Sequence, residues 1–252
     1  MNKPIVFFDL ETTGKSNNND DVRIIEISAV KVNPDTLDVI DTLYHKCNND
    51  GVPIQPDATE RHGMVEADLV GLPPFRAFAK ETFDFFDGCD VGGYYCTVFD
   101  IPILYYSFIR EGLTWNYRNI KNYDIYTLYR KYNSGKLADV YKKFTGKDLE
   151  DAHHATADID ATLEVYKIMR GRNEEFEDAD LTTFTENVDM AGKFKVRILE
   201  SGKREIILTF GKHKDRNVED VDASYFKWMM NSDDFAVDTK YYAKMIYERK
   251  SD

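Results

Sequence analysis

The stretch Ile5-Val6-Phe7-Phe8-Asp9-Leu10-Glu11-Thr12-Thr13-Gly14 sets two carboxylates directly after an unbroken apolar run. The run reads as a buried strand, and the acids stand where it would emerge from the core. In an extended strand residues i and i+2 share a face, so Asp9 and Glu11 project together while Leu10 turns back into the packing. Two anions side by side repel, and the pair makes best sense with a divalent cation between them. An Asp-x-Glu alone also ends strands and caps the next turn of chain. The metal reading therefore needs further ligands from elsewhere in the chain.

Two later stretches offer them. Tyr94-Tyr95-Cys96-Thr97-Val98-Phe99-Asp100-Ile101-Pro102 carries Asp100 at the mouth of a helix, Pro102 being suited to a first helical position. Asp151-Ala152-His153-His154-Ala155-Thr156-Ala157-Asp158 opens another helix with His153 and Asp158 five residues apart. In this order and spacing the three stretches resemble the DEDD superfamily of 3′→5′ exonucleases. More closely, they are similar to its His-containing (DEDDh) branch, which includes the proofreading epsilon subunit of bacterial DNA polymerase III. The resemblance covers roughly the first two-thirds of the chain.

The resemblance implies an α/β fold, with a ribonuclease-H-like mixed sheet flanked by helices. It implies Asp9, Glu11, Asp100 and Asp158 as ligands of two divalent cations, Mg2+ or Mn2+, and His153 as the base that deprotonates the attacking water. Two such ions about 3.5–4 Å apart activate the water and hold the leaving group. An imidazole with an ordinary pKa near 6.5 suits the base. The family spacing His-x-Ala-x-x-Asp selects His153 over His154. Asp160 lies a further two residues along, a helical turn of about 200°, and is expected as a solvated charge at the helix start. Relatives carry an Asn shortly before the second-motif Asp, where this chain has Tyr95-Cys96-Thr97. That departure bears on placement of the terminal nucleotides rather than on the metals.

The implied substrate is the 3′ end of single-stranded DNA, in proofreading or repair. RNA, in the manner of an oligoribonuclease, is the alternative, and a DNA polymerase or a replication or repair complex is an implied partner. A non-catalytic nucleic-acid-binding or polymerase-associated module is a further rival, disfavoured because all five catalytic residues that the resemblance implies are present. Thr12, His62, Phe99, Lys212 and Lys214 are the candidate nucleic-acid contacts. His62 ends a Pro-x-Ala-x-x-His-Gly-like segment that lies near the cleft in the family, and it equally suits a satisfied helix-end histidine.

Composition sets bounds. The chain of 252 residues suffices for one well-buried domain and a small second one. No apolar run approaches a membrane span and no leader pattern opens the chain, so a cytoplasmic protein without membrane contact is expected. Cys47, Cys89 and Cys96 show no paired spacing and read as reduced thiols. A net charge of −12 argues against tight duplex binding by the whole molecule. It is compatible with a few nucleotides held through cations.

Strands are expected at Val22–Val32 and Asp38–Tyr44, forming an antiparallel meander with the first, and another at Cys89–Tyr94. Glu26 in the second strand is assigned a structural role. Phe75–Phe86 reads as a helix whose aromatic stripe is core. Further helices are expected at Pro102–Arg110, Ile125–Tyr132, Lys136–Thr145 and Thr156–Met169. Residues 1–172 are thus assigned to the exonuclease domain, 173–190 to an acidic linker and 191–252 to a small α+β C-terminal domain. The last is expected to hold strands at Lys193–Ile198 and Glu205–Phe210, then helices near Tyr225–Met230 and Tyr241–Glu248. Leu208-Thr209-Phe210-Gly211-Lys212-His213-Lys214-Asp215, with Tyr225 and Trp228 after it, resembles the C-terminal domain of exodeoxyribonuclease-X-like proteins, with Asp215 where a Gly is usual. Basic residues outnumber acidic ones between Lys193 and Arg216, which makes Lys212 and Lys214 the expected phosphate-backbone contacts.

Overall fold

The computed structural model describes residues 3–15, 21–117, 120–126, 135–172, 188–199 and 201–251. They form two compact units, the bulk of the residues up to 172 in the first and residues 188–251 in the second. Most of the expected linker, 173–187, lies outside the described residues.

The first unit is built on a five-stranded sheet of β1 (Ile5–Thr12), β2 (Ile24–Val32), β3 (Val39–Lys46), β4 (Asp90–Gly93) and β5 (Asn122–Asp124), in the order β3-β2-β1-β4-β5. β3, β2 and β1 run antiparallel as a meander, while β4 and β5 continue parallel to β1. β1 is thus the middle strand, which explains its continuous apolar run: both of its faces are covered. Phe7 packs on Tyr166 at 5.5 Å on one face, and Phe8 meets Phe86 edge-on at 5.0 Å on the other.

Among the described residues, the sheet is flanked by the helices α1 (Pro56–His62), α2 (Ala79–Phe86), α3 (Asp100–Arg110), α4 (Leu137–Thr145) and α5 (Ala155–Arg172). α4 and α5 cover the Phe7 face, burying Val140, Ile159, Leu163 and Met169 against Ile5, Val30 and Val32. On the opposite face Phe86 of α2, Phe108 of α3 and Trp115 form a mutual edge-to-face cluster. The Phe75–Phe86 stripe is therefore core, although a 3-10 turn at Phe75–Ala77 precedes the α-helix proper. Gly92 lies opposite Phe7, where an added Cβ would come within 2.5 Å of the ring. A larger residue there would displace the middle strand's core contact.

Sequence expectation and structure differ in several places. β2 begins at Ile24 and β3 runs to Lys46, shifts of two residues at strand ends. β5 was not expected, because three residues carry no periodicity. Of the expected helix Ile125–Tyr132, only Ile125 and Tyr126 are described, both helical. α3 begins at Asp100, which puts Pro102 in its first turn but not at its first position.

The second unit is a separate two-stranded antiparallel sheet, β6 (Phe194–Ile198) and β7 (Arg204–Leu208), packed with α6 (Ala223–Asn231) and α7 (Val237–Ser251). Phe194, Leu208, Phe226, Met229 and Ile246 form its core. β7 ends at Leu208 rather than Phe210, because the Leu208 backbone bonds to Asp215 N and Arg216 O and the chain turns back on itself. That return puts Asp215 at φ 63, a left-handed conformation open to glycine and tolerated by Asp. Buried Asp189 ties the start of β6 to α7 by accepting from Phe194 N at 2.8 Å and Thr239 Oγ1 at 2.5 Å. Burial pushes its carboxyl up to about 6 despite those bonds. Among the described residues, no helix is long and apolar enough to cross a membrane.

Candidate active site

The alternation of β1 decides where its acids point. Asp9 and Glu11 continue the Phe7 face, the face that α5 covers, and Asp158 stands in the first turn of α5. One ligand oxygen from each of Asp9, Glu11 and Asp158 can be chosen so that all three lie within 4.8 Å of one another. Asp100, at the start of α3, accepts a hydrogen bond from Leu10 N at 3.0 Å and so is fixed to the backbone between Asp9 and Glu11. All four carboxylates line one cleft of about 630 Å³, and His153 lines it with them.

Like charge and burial act together on this cluster. Desolvation, then Asp100, Glu11 and Asp158, raise the Asp9 carboxyl well above the ordinary range. Glu11 is pushed up to about 8 by burial and then by Asp158 and Asp100, with Arg61 opposing. Asp100 is pushed up to about 8 by burial, against the bond from Leu10 N. Asp158 is raised by burial although its Oδ2 accepts from His153 N at 3.2 Å. Its other oxygen, Oδ1, is buried without a hydrogen-bond partner. A buried anionic cluster with an orphaned carboxylate oxygen fits a divalent cation, which would satisfy that oxygen and offset the repulsion.

His153 sits at φ 71 in the tight turn before α5, exposed on the cleft wall. His154 is exposed but does not line the cleft, and Asp160 is exposed on α5. Phe99 is half-buried on the cleft wall. Thr12 is buried, its hydroxyl donating to Gly14 O at 2.9 Å. His62 is buried away from the cleft lining. Its Nδ1 accepts from Met64 N at 3.1 Å, so Nε2 carries the proton donated to Thr12 O at 3.2 Å. Both nitrogens are thus engaged, which makes His62 a strut between α1 and the end of β1. Lys212 and Lys214 are exposed in the second unit. Glu26 is buried and accepts from Tyr44 Oη at 2.7 Å, a structural role.

Several cleft residues were not singled out from sequence. Tyr94, Tyr95 and Tyr126 form an aromatic wall, with Tyr126 edge-on to both others at 5.6 and 5.0 Å. Lys15, Arg61 and Lys136 add positive charge. Behind the wall, buried Asp124 accepts from Tyr95 N at 3.1 Å, Thr97 N at 3.0 Å and Thr97 Oγ1 at 2.5 Å. Asn122 Nδ2 donates to Thr97 Oγ1 at 2.7 Å, and Cys96 Sγ donates to Asn122 Oδ1 at 3.3 Å. The Tyr95-Cys96-Thr97 departure is therefore a loop pinned to β5, with Tyr95 held at φ 64. The signal that could have found it is the pair of polar residues flanking Tyr123.

The family model described as Exonuclease (RNase_T) matches residues 6–166, more than half of the chain. The chain belongs to this exonuclease family. It is 29% identical over 163 residues to the PolC-type DNA polymerase III of Caldanaerobacter subterraneus subsp. tengcongensis, a match covering 64% of this chain and 11% of that protein. Its fold is similar to E. coli Exonuclease I in complex with a dT13 oligonucleotide, with a TM-score of 0.62 and 18% identity over 91% of this chain and 60% of that one. The zinc-bound E. coli ExoI–ssDNA complex gives a TM-score of 0.64 and 18% identity over 91% and 59%. At these identities the likeness is one of fold, and the exonuclease-family chain has the mixed, helix-flanked sheet of the ribonuclease-H-like exonucleases.

Proposed function

We propose that this protein is a metal-dependent exonuclease that removes nucleotides from the 3′ end of single-stranded DNA. The observation that carries the reading is the convergence of Asp9, Glu11 and Asp158 within 4.8 Å, with Asp100 fixed beside them. These four residues would hold two Mg2+ or Mn2+ ions, which when bound supply water activation and charge stabilisation at the phosphate. His153, on the open cleft wall, takes the proton of the attacking water at a ring nitrogen. Lys15, Arg61 and Lys136 meet the phosphates, while Phe99, Tyr95 and Tyr126 give unpaired bases a stacking surface. His62 acts through Thr12 and not by touching nucleic acid.

Single-stranded DNA is favoured over RNA because the similar Exonuclease I structures hold DNA oligonucleotides or ssDNA. The PolC-type relative supports an epsilon-like role beside a DNA polymerase or in a replication or repair complex. Free, buried Cys47, Cys89 and Cys96 suit a cytoplasmic setting. We divide the chain into an exonuclease domain (1–172), a linker (173–190) and an exodeoxyribonuclease-X-like C-terminal domain (191–252).

Digestion of end-labelled single-stranded DNA and RNA of matched sequence tests this reading. With Mn2+, 5′-labelled DNA should shorten as a ladder and 3′-labelled DNA should release its label first, both abolished by EDTA. Preferred cleavage of RNA would favour the oligoribonuclease alternative, and no metal-dependent product from either would sink the enzyme reading. Residues 1–172 alone should retain the activity; an inactive but folded fragment would overturn the domain boundaries.

A further inference from the structure

The second unit carries a surface that the cleft chemistry leaves without a task. Trp228 of α6 is 47% exposed. Its ring lies 5.1 Å from Tyr225 and 5.3 Å from Phe235, and Tyr225 in turn lies 6.4 Å from Phe210. Basic groups follow this aromatic row. Lys212 Nζ sits 5.7 Å from the Tyr225 ring centre, Lys193 Nζ 5.4 Å from that of Phe210, and His213 stands edge-on to Tyr225 at 4.6 Å. Gly211 at φ 64 lets the Lys212–Lys214 loop lie against Tyr225, where an added Cβ would meet the hydroxyl at 2.9 Å.

Lys193 and Lys212 are thus held against these rings in a chain of net charge −12. Among the described residues, Lys193, Lys212 and Lys214 make no ion pair with a carboxylate. His213 is held below the usual imidazole value, by desolvation first and then by Lys212 and Arg216. Lysines with no carboxylate partner along an aromatic row that includes an exposed indole match the two needs of an unpaired strand, cations for its phosphates and an aromatic surface for its bases. A duplex keeps its bases stacked internally and offers none to Trp228. An acidic protein would answer the lysines but leave the indole without a partner of matching chemistry.

We propose that Trp228, with Tyr225, Lys193, Lys212 and Lys214, forms a second single-stranded nucleic-acid binding surface, with an unpaired base stacked on the indole and phosphates on the lysines. The proposal rests on the exonuclease reading only for the reason such a chain would hold a strand.

Intrinsic fluorescence of the full chain in EDTA, titrated with unlabelled oligo(dT), tests it. The chain has two tryptophans, and Trp115 is 4% exposed between Phe86 and Phe108, so a change on binding reports Trp228. Saturable quenching should appear and weaken with salt. By anisotropy of a labelled oligonucleotide, Trp228→Ala should lose about 5- to 150-fold in affinity. Trp228→Phe should bind nearly normally. Lys212→Ala with Lys214→Ala should weaken binding and lower the salt slope by about 0.7 for each phosphate no longer neutralised. Unchanged fluorescence with oligonucleotide affinity unaffected by Trp228→Ala would overturn the proposal, as would equal competition by duplex. Digestion without quenching would fail this surface alone; quenching without digestion would fail the exonuclease reading alone.

Discussion

His153 and His154 are both exposed and adjacent, yet only His153 faces the cleft. His153→Ala should therefore lower turnover by about 10²- to 10⁴-fold while calorimetry finds Mn2+ affinity nearly unchanged. Asp9→Ala should lose both, and His154→Ala should cost little. A dead His154 variant beside a nearly normal His153 variant would contradict the assignment. At this scale the convergence of the four acids on one cleft was legible, because three motifs fix residue types at fixed spacings and the pleat of β1 turns Asp9 and Glu11 to one side. What was not legible was the support behind them. Asp124 and the Nε2 of His62 matter through partners far away in sequence, and no local pattern records those bonds.

At the scale of elements, long periodic segments were read well and short or irregular ones poorly. β1 and β2 carry sustained apolar patterns, whereas β5 has three residues and owes its place to pairing with β4. Phe210 extends the apolar run of β7 and so predicts a strand two residues longer than the one formed, because the backbone has already turned at Leu208. β5 is short but holds the loop that leads into Asp100. Asp124→Ala would leave Tyr95 N, Thr97 N and the Thr97 hydroxyl without their acceptor, at a cost of roughly 1–3 kcal/mol for each group left buried and unpaired. The variant should unfold at lower urea and lose activity more than Asp124→Asn, which retains one acceptor oxygen. Equal stability and activity for wild type and Asp124→Ala would show that the loop holds itself.

For the whole molecule, the net charge of −12 is the feature hardest to reconcile with a polyanionic substrate. Part of it is concentrated in the cleft, where protons or cations offset it. The folded values of Glu11 and Asp100, about 8, lie above the ordinary carboxylate values of an unfolded chain. Between roughly pH 4 and pH 8 the native state then holds protons that the unfolded state has released. These groups stabilise the fold fully below that window, and the contribution is lost as pH rises through it. In EDTA, the melting temperature should fall from pH 5 to pH 8.5, and saturating Mn2+ should restore it most at the alkaline end. A metal-free profile that rises across this range would contradict the cluster's electrostatics.

The central claim is that Asp9, Glu11, Asp100 and Asp158 form one metal centre. Anomalous diffraction from crystals soaked in Mn2+ tests it directly. Two peaks about 3.5–4 Å apart, bounded by these four carboxylates, are the expected result. Manganese bound elsewhere, or a cleft that stays empty at saturating metal with its carboxylates still clustered, would contradict it.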